Sequence, residues 1–129
     1  MLAVDTNIVV RYITRDDPEQ APRSKRLVDD NDTFVATTVL LETEWVLRRG
    51  YRYNRAEILE ALRSFAGLPR VILEEPTRVA QALDCLEQGM DFADAIHLAD
   101  AGGCEAFVTF DRPLIRMAAR LSKIAVRTP

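Results

Sequence analysis

The sequence has few cysteines and a single histidine, and each shortage excludes a class of chemistry. Its two cysteines, Cys85 and Cys104, are nineteen positions apart without a neighbouring ligand cluster, so neither zinc spacing nor a CxxC redox motif is present. We expect both to be buried free thiols. His97 alone supports no Ser-His-Asp or Cys-His catalytic set, and we expect it to be a hydrogen-bonded core residue.

Long apolar runs and a strong charge of either sign are also missing. Runs such as Ile8–Val10 and Val39–Leu41 are far shorter than the roughly 18 residues that indicate a membrane span. Asp5 and Asn7 stand where a signal peptide needs a basic start and an apolar stretch, so we expect a cytoplasmic protein with no membrane partner. The 17 Lys and Arg against 20 Asp and Glu give a net charge of −3, which argues against wholesale wrapping of nucleic acid.

Within the 129 residues, short β-like runs alternate with longer amphipathic stretches, which is typical of a parallel α/β sheet. Strands are predicted at 2–4, 33–36, 71–73, 106–109 and 124–126, and helices at 18–30, 39–49, 54–65, 76–88, 92–101 and 113–121. No linker or repeat suggests a second domain. The sequence therefore predicts one domain over residues 1–129, a three-layer α/β/α sandwich whose central sheet has four or five mostly parallel strands.

Acidic residues follow the predicted strands, at the edge where open α/β folds bind ligands. Asp5 closes the first strand and Asp111 closes the fourth, while Asp91 and Asp94 open the apolar helix 92–101. Taken singly, the first three also fit turns or helix caps, and a cap is the better explanation of Asp91. A functional role is favoured for Asp94, because a carboxylate on so apolar a helix needs a partner.

Two glutamates lie in the helix that follows the second strand. Glu42 and Glu44 come after the predicted caps Thr37 and Thr38, and two positions on a helix are roughly 200° apart. Both lie on borders of the apolar arc, on opposite sides of it. Helical geometry therefore does not choose which glutamate faces the site.

Carboxylates that converge on one edge repel each other unless a cation neutralises their charge. Ligation by oxygen alone suits Mg²⁺ or Mn²⁺. Such a site performs phosphoryl chemistry, because the metal lowers the pKa of a bound water and polarises the phosphate.

Four segments of the chain resemble the PIN-domain ribonucleases and, among them, the VapC toxins of type II toxin–antitoxin systems. They occur in the right order over nearly the whole chain and are Leu2–Asn7, Thr37–Leu47, Asp91–His97 and Val108–Asp111. The resemblance implies a PIN-like fold, RNA as the substrate, a homodimer, and a cognate antitoxin whose tail fills an acidic groove.

The same resemblance implies which residues hold Mg²⁺ or Mn²⁺. The matching acids are Asp5, Glu42, Asp94 and Asp111, which selects Glu42 over Glu44. Thr6 and Thr109 match hydroxyl residues that support the acids by hydrogen bonding. Glu42 would bind the metal or orient the water that attacks an RNA phosphodiester.

RNA binding by a chain of net negative charge requires local basic residues. Six arginines are expected to flank the groove: Arg11, Arg15, Arg52, Arg55, Arg112 and Arg116. The run Arg48–Arg55 also contains tyrosines, and aromatics among arginines suit single-stranded RNA. Cations at the end of a helix are equally well explained by the helix dipole, so charge pattern alone leaves both interpretations open.

Two other functions fit some of these features. A Mg²⁺-dependent phosphatase or receiver-like domain also places aspartates at strand ends and commonly has a lysine near its last strand, where this sequence has Lys123. The segment around Asp5, however, lacks the paired aspartate of a DxD motif. Trapping of a phosphoenzyme would identify it. A non-enzymatic interaction module would keep the acids only as helix caps and would bind no Mn²⁺.

Overall fold

All five strands of the protein are short and every strand pair is parallel. The computed structural model describes residues 1–129. In chain order the elements are β1 (Leu2–Ala3), α1 (Thr6–Thr14), α2 (Gln20–Asp30), β2 (Thr33–Val35), α3 (Thr37–Arg49), α4 (Arg55–Ala66), β3 (Val71–Leu73), α5 (Pro76–Glu87), α6 (Phe92–Asp100), β4 (Phe107–Val108), α7 (Arg112–Leu121) and β5 (Val126–Arg127). The strands agree with the predicted number and direction. They form two sheets rather than the single predicted one, a sheet of three, β1-β2-β3, and a sheet of two, β4-β5, because no strand of one group pairs with a strand of the other.

The backbone forms two compact units, Met1–Pro76 and Thr77–Pro129. The first contains the three-stranded sheet and α1–α4, and the second contains α6, α7, the two-stranded sheet and nearly all of α5. Each has its own buried apolar side chains, such as Val35 and Leu47 in the first unit and Phe92 and Ala118 in the second. None of the helices combines the length and the apolar character needed to cross a membrane.

In the first unit, strand β2 lies between β1 and β3 and positions the acidic edge. Its Thr33 and Val35 are completely buried. Parallel pairing of β1 with β2 brings the carboxyl ends of both strands to the same edge of the sheet. Asp5 follows β1 there and α3, which carries Glu42, begins directly after β2.

Helix α1 is the one helix that the sequence pattern does not predict. Its β-branched run Ile8–Val10 has low helix propensity. The helix forms nonetheless, because the Asp5 side chain caps it and because Val9 and Val10 are buried on its inner face. Burial in the tertiary structure outweighs the local preference. The boundaries of the other elements differ from the predicted ones by at most two residues.

The predicted caps of α3 are wrong, since Thr37 and Thr38 lie inside the helix. The N-cap residue is Ala36, which makes no side-chain capping bond. The carboxylate of Glu74, beyond β3, instead accepts a hydrogen bond from the Thr37 amide at 3.0 Å. A residue distant in sequence thus satisfies one amide of the first turn.

Two further expectations are corrected by burial. Both cysteines are free, as predicted, but Cys85 is only half-buried and Cys104 is exposed, on the Gly-rich segment after α6. His97 is exposed rather than in the core. The reason is that α6 buries Phe92, Ala95, Ile96 and Ala99, and His97 follows Ile96 by about 100° around the helix.

Candidate functional site

Two of the predicted site acids, Asp5 and Glu42, line one cavity in the first unit. The cavity measures about 320 Å³, and Thr6, Arg11 and Tyr51 also contribute to its wall. Both acidic residues are exposed to solvent. The structure therefore brings together the acid at the end of β1 and the acid in the second turn of α3.

The structure also separates the two glutamates that helical geometry could not. Glu44 is buried, with 2% of its surface exposed, and its two carboxylate oxygens lie 3.0 and 3.2 Å from Nε of Arg48. A buried carboxylate that is already paired one helical turn away serves the stability of α3. Glu42 makes no such pair and faces the cavity.

Arg11 is held in place at the same cavity by a network that the sequence did not indicate. Its guanidinium donates hydrogen bonds to Tyr51 Oη at 2.8 Å, to Asp16 at 3.2 Å and to Gln20 Oε1 at 3.0 Å. Tyr51 in turn donates to Asp16 Oδ2 at 2.7 Å. The pKa of Asp16 is lowered first by the hydrogen bond from Tyr51, then by one from Thr14 Oγ1, and further by the charge of Arg11, so Asp16 stays ionised.

No sequence signal could have found this network, because Arg11 and Tyr51 are forty positions apart and only the fold brings them together. Tyr51 was expected merely as an aromatic residue within a basic run. Its hydroxyl instead fixes the side chain of Arg11 beside Asp5 and Glu42. The cavity thus combines two acids with one cation of fixed position.

The other two predicted acids, Asp94 and Asp111, belong to a second acidic group, in the second unit. The pKa of Asp94 is raised, first by burial and then by the negative charges of Asp91 and Asp111, while His97 acts in the opposite direction. The folded protein therefore disfavours the ionised form of Asp94. A cation beside Asp94 would remove this penalty.

Helix capping occupies only one carboxylate oxygen of each strand-end aspartate. Asp5 Oδ1 accepts a hydrogen bond from the Thr6 amide at 2.7 Å, and Asp111 Oδ1 accepts one from the Leu114 amide at 3.0 Å. The Oδ2 atoms of both residues have no hydrogen-bond partner in the protein. Capping and metal binding, which the sequence presents as alternatives, are therefore compatible for both residues.

Asp91 behaves as the sequence predicts. It is the N-cap of α6, and its Oδ2 accepts a hydrogen bond from the Asp94 amide at 3.2 Å. The cap places its negative charge against Asp94 and so contributes to the raised pKa of that residue.

The two predicted supporting threonines lie next to their acids in different ways. Thr6 is buried and contacts Asp5 through its backbone amide. Thr109 uses its side chain, since its Oγ1 accepts a hydrogen bond from the backbone amide of Asp111 at 3.0 Å. Both contacts fix the backbone from which an acid projects.

The predicted RNA-binding arginines fall into two groups. Arg11 is half-buried and committed to the network described above. The other five are exposed: Arg15, Arg52, Arg55, Arg112 and Arg116. Arg15 and Arg52 have left-handed backbone conformations, with φ of 53° and 57°, and the Arg15 guanidinium lies 6.0 Å from the centre of the Tyr12 ring.

The four predicted acids offer only carboxylate oxygens as metal ligands, and such ligands fit a hard divalent cation. No group of three or more His, Cys, Asp or Glu side chains lies close enough together to hold a metal ion. The structure thus provides two acidic groups, Asp5 with Glu42 and Asp94 with Asp111.

Comparison with known proteins identifies the family of this sequence. Residues 2–120, which are 119 of the 129 residues, match the PIN domain family. The matched range contains all four predicted acids and includes residues of both compact units. The match confirms the predicted fold class, a three-layer α/β/α sandwich with a mostly parallel sheet. No curated protein matches the chain.

Proposed function

The chain belongs to the PIN domain family, and from that membership we propose that it is a metal-dependent endoribonuclease. PIN domains are generally metal-dependent nucleases. The observation that carries the proposal for this chain is the shared cavity of Asp5 and Glu42 at the carboxyl edge of the sheet. Ligands bind at that edge in α/β folds, and two carboxylates there favour a cation.

In this proposal Asp5, Asp94 and Asp111 are ligands of Mg²⁺ or Mn²⁺, and Glu42 is either a further ligand or the acceptor of a proton from the attacking water. When bound, the cation supplies charge neutralisation at the phosphate and lowers the pKa of water. Thr6 and Thr109 hold Asp5 and Asp111 in position through the hydrogen bonds described above.

Arg11 has a distinct role in this proposal. Its guanidinium is fixed by Tyr51 and Asp16 while it lines the cavity of the acids. A cation of fixed position beside two carboxylates limits their mutual repulsion and offers a charge to an incoming phosphate. The exposed arginines, among them Arg15, Arg52 and Arg55, would attract the rest of the RNA.

We further propose that the protein is the toxin of a type II toxin–antitoxin pair. It acts in the cytoplasm as a homodimer, and residues 1–129 of each subunit form a single domain. The four segments that resemble VapC toxins support this assignment. Induced expression should arrest growth, and a neighbouring upstream gene for a small DNA-binding protein with a disordered tail should relieve the arrest. Normal growth at high expression would contradict the toxin role while leaving the nuclease proposal intact.

The nuclease proposal is tested with purified protein and a labelled single-stranded RNA. Cleavage should require Mg²⁺ or Mn²⁺ and should be lost in Asp111→Asn, which keeps a capping oxygen for Leu114. The matched control is Asp91→Asn, another capping aspartate outside the proposed ligand set, which should still cleave. Equal loss in both variants, or equal activity in both, would contradict the proposed ligand set. A phosphorylated protein trapped on the pathway would indicate a phosphatase instead.

A further inference from the structure

One aromatic ring stands out on the surface next to a proposed metal ligand. Phe110 is 84% exposed, more than any other large apolar side chain of the chain, and it directly precedes Asp111. Placing a phenyl ring in water forgoes the stabilisation that burial would give it. Packing of the fold therefore does not account for the exposure of Phe110.

The backbone around Phe110 is fixed on both sides. The Thr109 amide donates to the carbonyl of Arg127 on β5 at 3.0 Å, and Thr109 Oγ1 accepts from the Asp111 amide. Asp111 in turn caps α7 through Leu114. Because its neighbours are anchored, the ring projects into solvent from a rigid turn, and its position relative to Asp111 is fixed.

A row of three arginines continues from this turn along α7. Arg112, Arg116 and Arg120 are spaced four residues apart, so they share one helix face, opposite the buried Leu114 and Ala118. All three are exposed, and none of their guanidinium groups makes a hydrogen bond or an ion pair within the protein.

The row is not explained by the stability of α7. Arg120 lies in the last turn, where a cation favours the helix dipole, but Arg112 lies in the first turn, where a cation opposes it. Some other exposed arginines of this acidic chain are paired with carboxylates, such as Arg23 with Glu19 and Arg70 with Asp32, whereas no member of the row is. Three unpaired cations on one face favour an anionic ligand from outside the chain.

We propose that Phe110 and the arginine row Arg112, Arg116 and Arg120 form a binding track for single-stranded RNA. Phe110 stacks on a base next to the phosphate at Asp111, and the row binds phosphates along the strand that leads away from it. The proposal rests on the proposed nuclease function. It adds the path that the RNA follows along α7 and a residue that contacts a base.

Single-stranded RNA is favoured over a protein partner by this combination of groups. Stacking on an exposed ring needs an unpaired base, which a single strand supplies and a duplex does not. Guanidinium groups at regular spacing, with no apolar side chain exposed between them except Ala119 and Pro113, match a repeating phosphate better than an apolar interface.

The stacking part is tested by the affinity for a fluorescein-labelled single-stranded RNA, measured in an Asp5→Asn background that prevents cleavage. Phe110→Leu should weaken binding about 5- to 150-fold, because it removes the π-face. Phe110→Trp should bind as tightly as the parent. Thermal unfolding should not change in either variant, since the ring is exposed. Equal affinity of Phe110→Leu and the parent would overturn the stacking role.

The phosphate part is tested by the salt dependence of the same affinity. Arg116→Gln should reduce the slope of log K against log salt by about 0.7, the value for one phosphate contact on a single strand. The matched control is Arg26→Gln on α2, which changes the charge equally at another exposed arginine and should leave the slope unchanged. Equal slopes in the two variants would show that only net charge matters and would overturn the track.

These outcomes are distinguishable from failure of the nuclease proposal. If the protein with intact Asp5 does not cleave RNA in Mn²⁺, the nuclease proposal fails. The binding measurements still show whether Phe110 and the arginine row bind RNA. If RNA is cleaved while the Phe110 and Arg116 variants bind RNA as the parent does, the track is wrong and the nuclease proposal stands.

Discussion

At the scale of single residues, the clearest result is the different environment of two glutamates two positions apart. Helical geometry places Glu42 and Glu44 symmetrically about the apolar arc of α3, and within the sequence only the family resemblance selects Glu42. Neighbouring elements bury Glu44, whose pair with Arg48 satisfies its carboxylate, and they leave Glu42 at a cavity with Asp5. Helical geometry alone could name the two candidates, but it lacked the packing that separates them.

The two glutamates therefore predict opposite effects of the same substitution. Glu42→Gln should abolish RNA cleavage and leave the free energy of unfolding nearly unchanged, because its side chain is exposed. Glu44→Gln should keep cleavage but lower the free energy of unfolding by about 1–3 kcal/mol, since a buried group loses a charged hydrogen-bond partner. Urea unfolding and an RNA cleavage assay measure the two effects. The reverse pattern would mean that Glu44 is the site residue.

Asp94 predicts a dependence of stability on pH. Its pKa is raised by burial and by Asp91 and Asp111, so between its ordinary and its raised pKa the folded state binds more protons than the unfolded state. In metal-free protein the contribution of Asp94 to the free energy of unfolding must then fall as pH rises through this window. Asp94→Asn removes that contribution.

Metal-free Asp94→Asn is accordingly expected to be more stable than the wild type near neutral pH, with the difference shrinking towards the ordinary Asp pKa of about 3.9. Denaturant unfolding from about pH 3 to pH 7 in EDTA measures it. Cleavage should fall by more than about 100-fold, the upper cost of losing a residue that merely supports a ligand. A variant less stable than the wild type at neutral pH would contradict this account of Asp94.

At the scale of elements, helix caps place the acids. Asp5, Asp91 and Asp111 cap α1, α6 and α7. The caps at Asp91 and Asp111 were foreseeable from the sequence, because aspartate before an apolar periodic run is a strong helix-start signal. Helix α1 itself was not foreseeable, because its β-branched residues resemble a strand until the partner surfaces that bury Val9 and Val10 are known.

The cap of α6 predicts a contrast between two substitutions of Asp91. Asp91→Ala should lower the free energy of unfolding by about 1 kcal/mol, because the Asp94 amide loses its acceptor. Asp91→Asn keeps an acceptor and removes a charge that raises the pKa of Asp94, so its stability near neutral pH should equal or exceed that of the wild type. Thermal unfolding distinguishes the two. Equal destabilisation in both variants would show that the charge, not the cap, is what α6 requires.

At the scale of the whole molecule, the net charge of −3 is an average over groups of opposite sign. Acids gather as Asp5 with Glu42 in one compact unit and as Asp91, Asp94 and Asp111 in the other, while the arginine row of α7 has no acidic partner. A low net charge therefore does not argue against nucleic acid as a ligand. The fold class and the order of the acids were readable from the sequence. The Arg11–Tyr51 network and the exposure of Phe110 depend on long-range packing and were not.

The central claim, that acids at the carboxyl edge act through a divalent cation to cleave RNA, is tested most directly by one cleavage assay. Wild-type protein and Asp5→Asn are compared on the same single-stranded RNA in Mn²⁺, in excess EDTA, and after Mn²⁺ is restored. Asp5→Asn keeps the oxygen that caps α1, so it should fold normally. The account predicts cleavage by the wild type only with Mn²⁺ and none by the variant. Cleavage in excess EDTA, or full activity of Asp5→Asn, would contradict it.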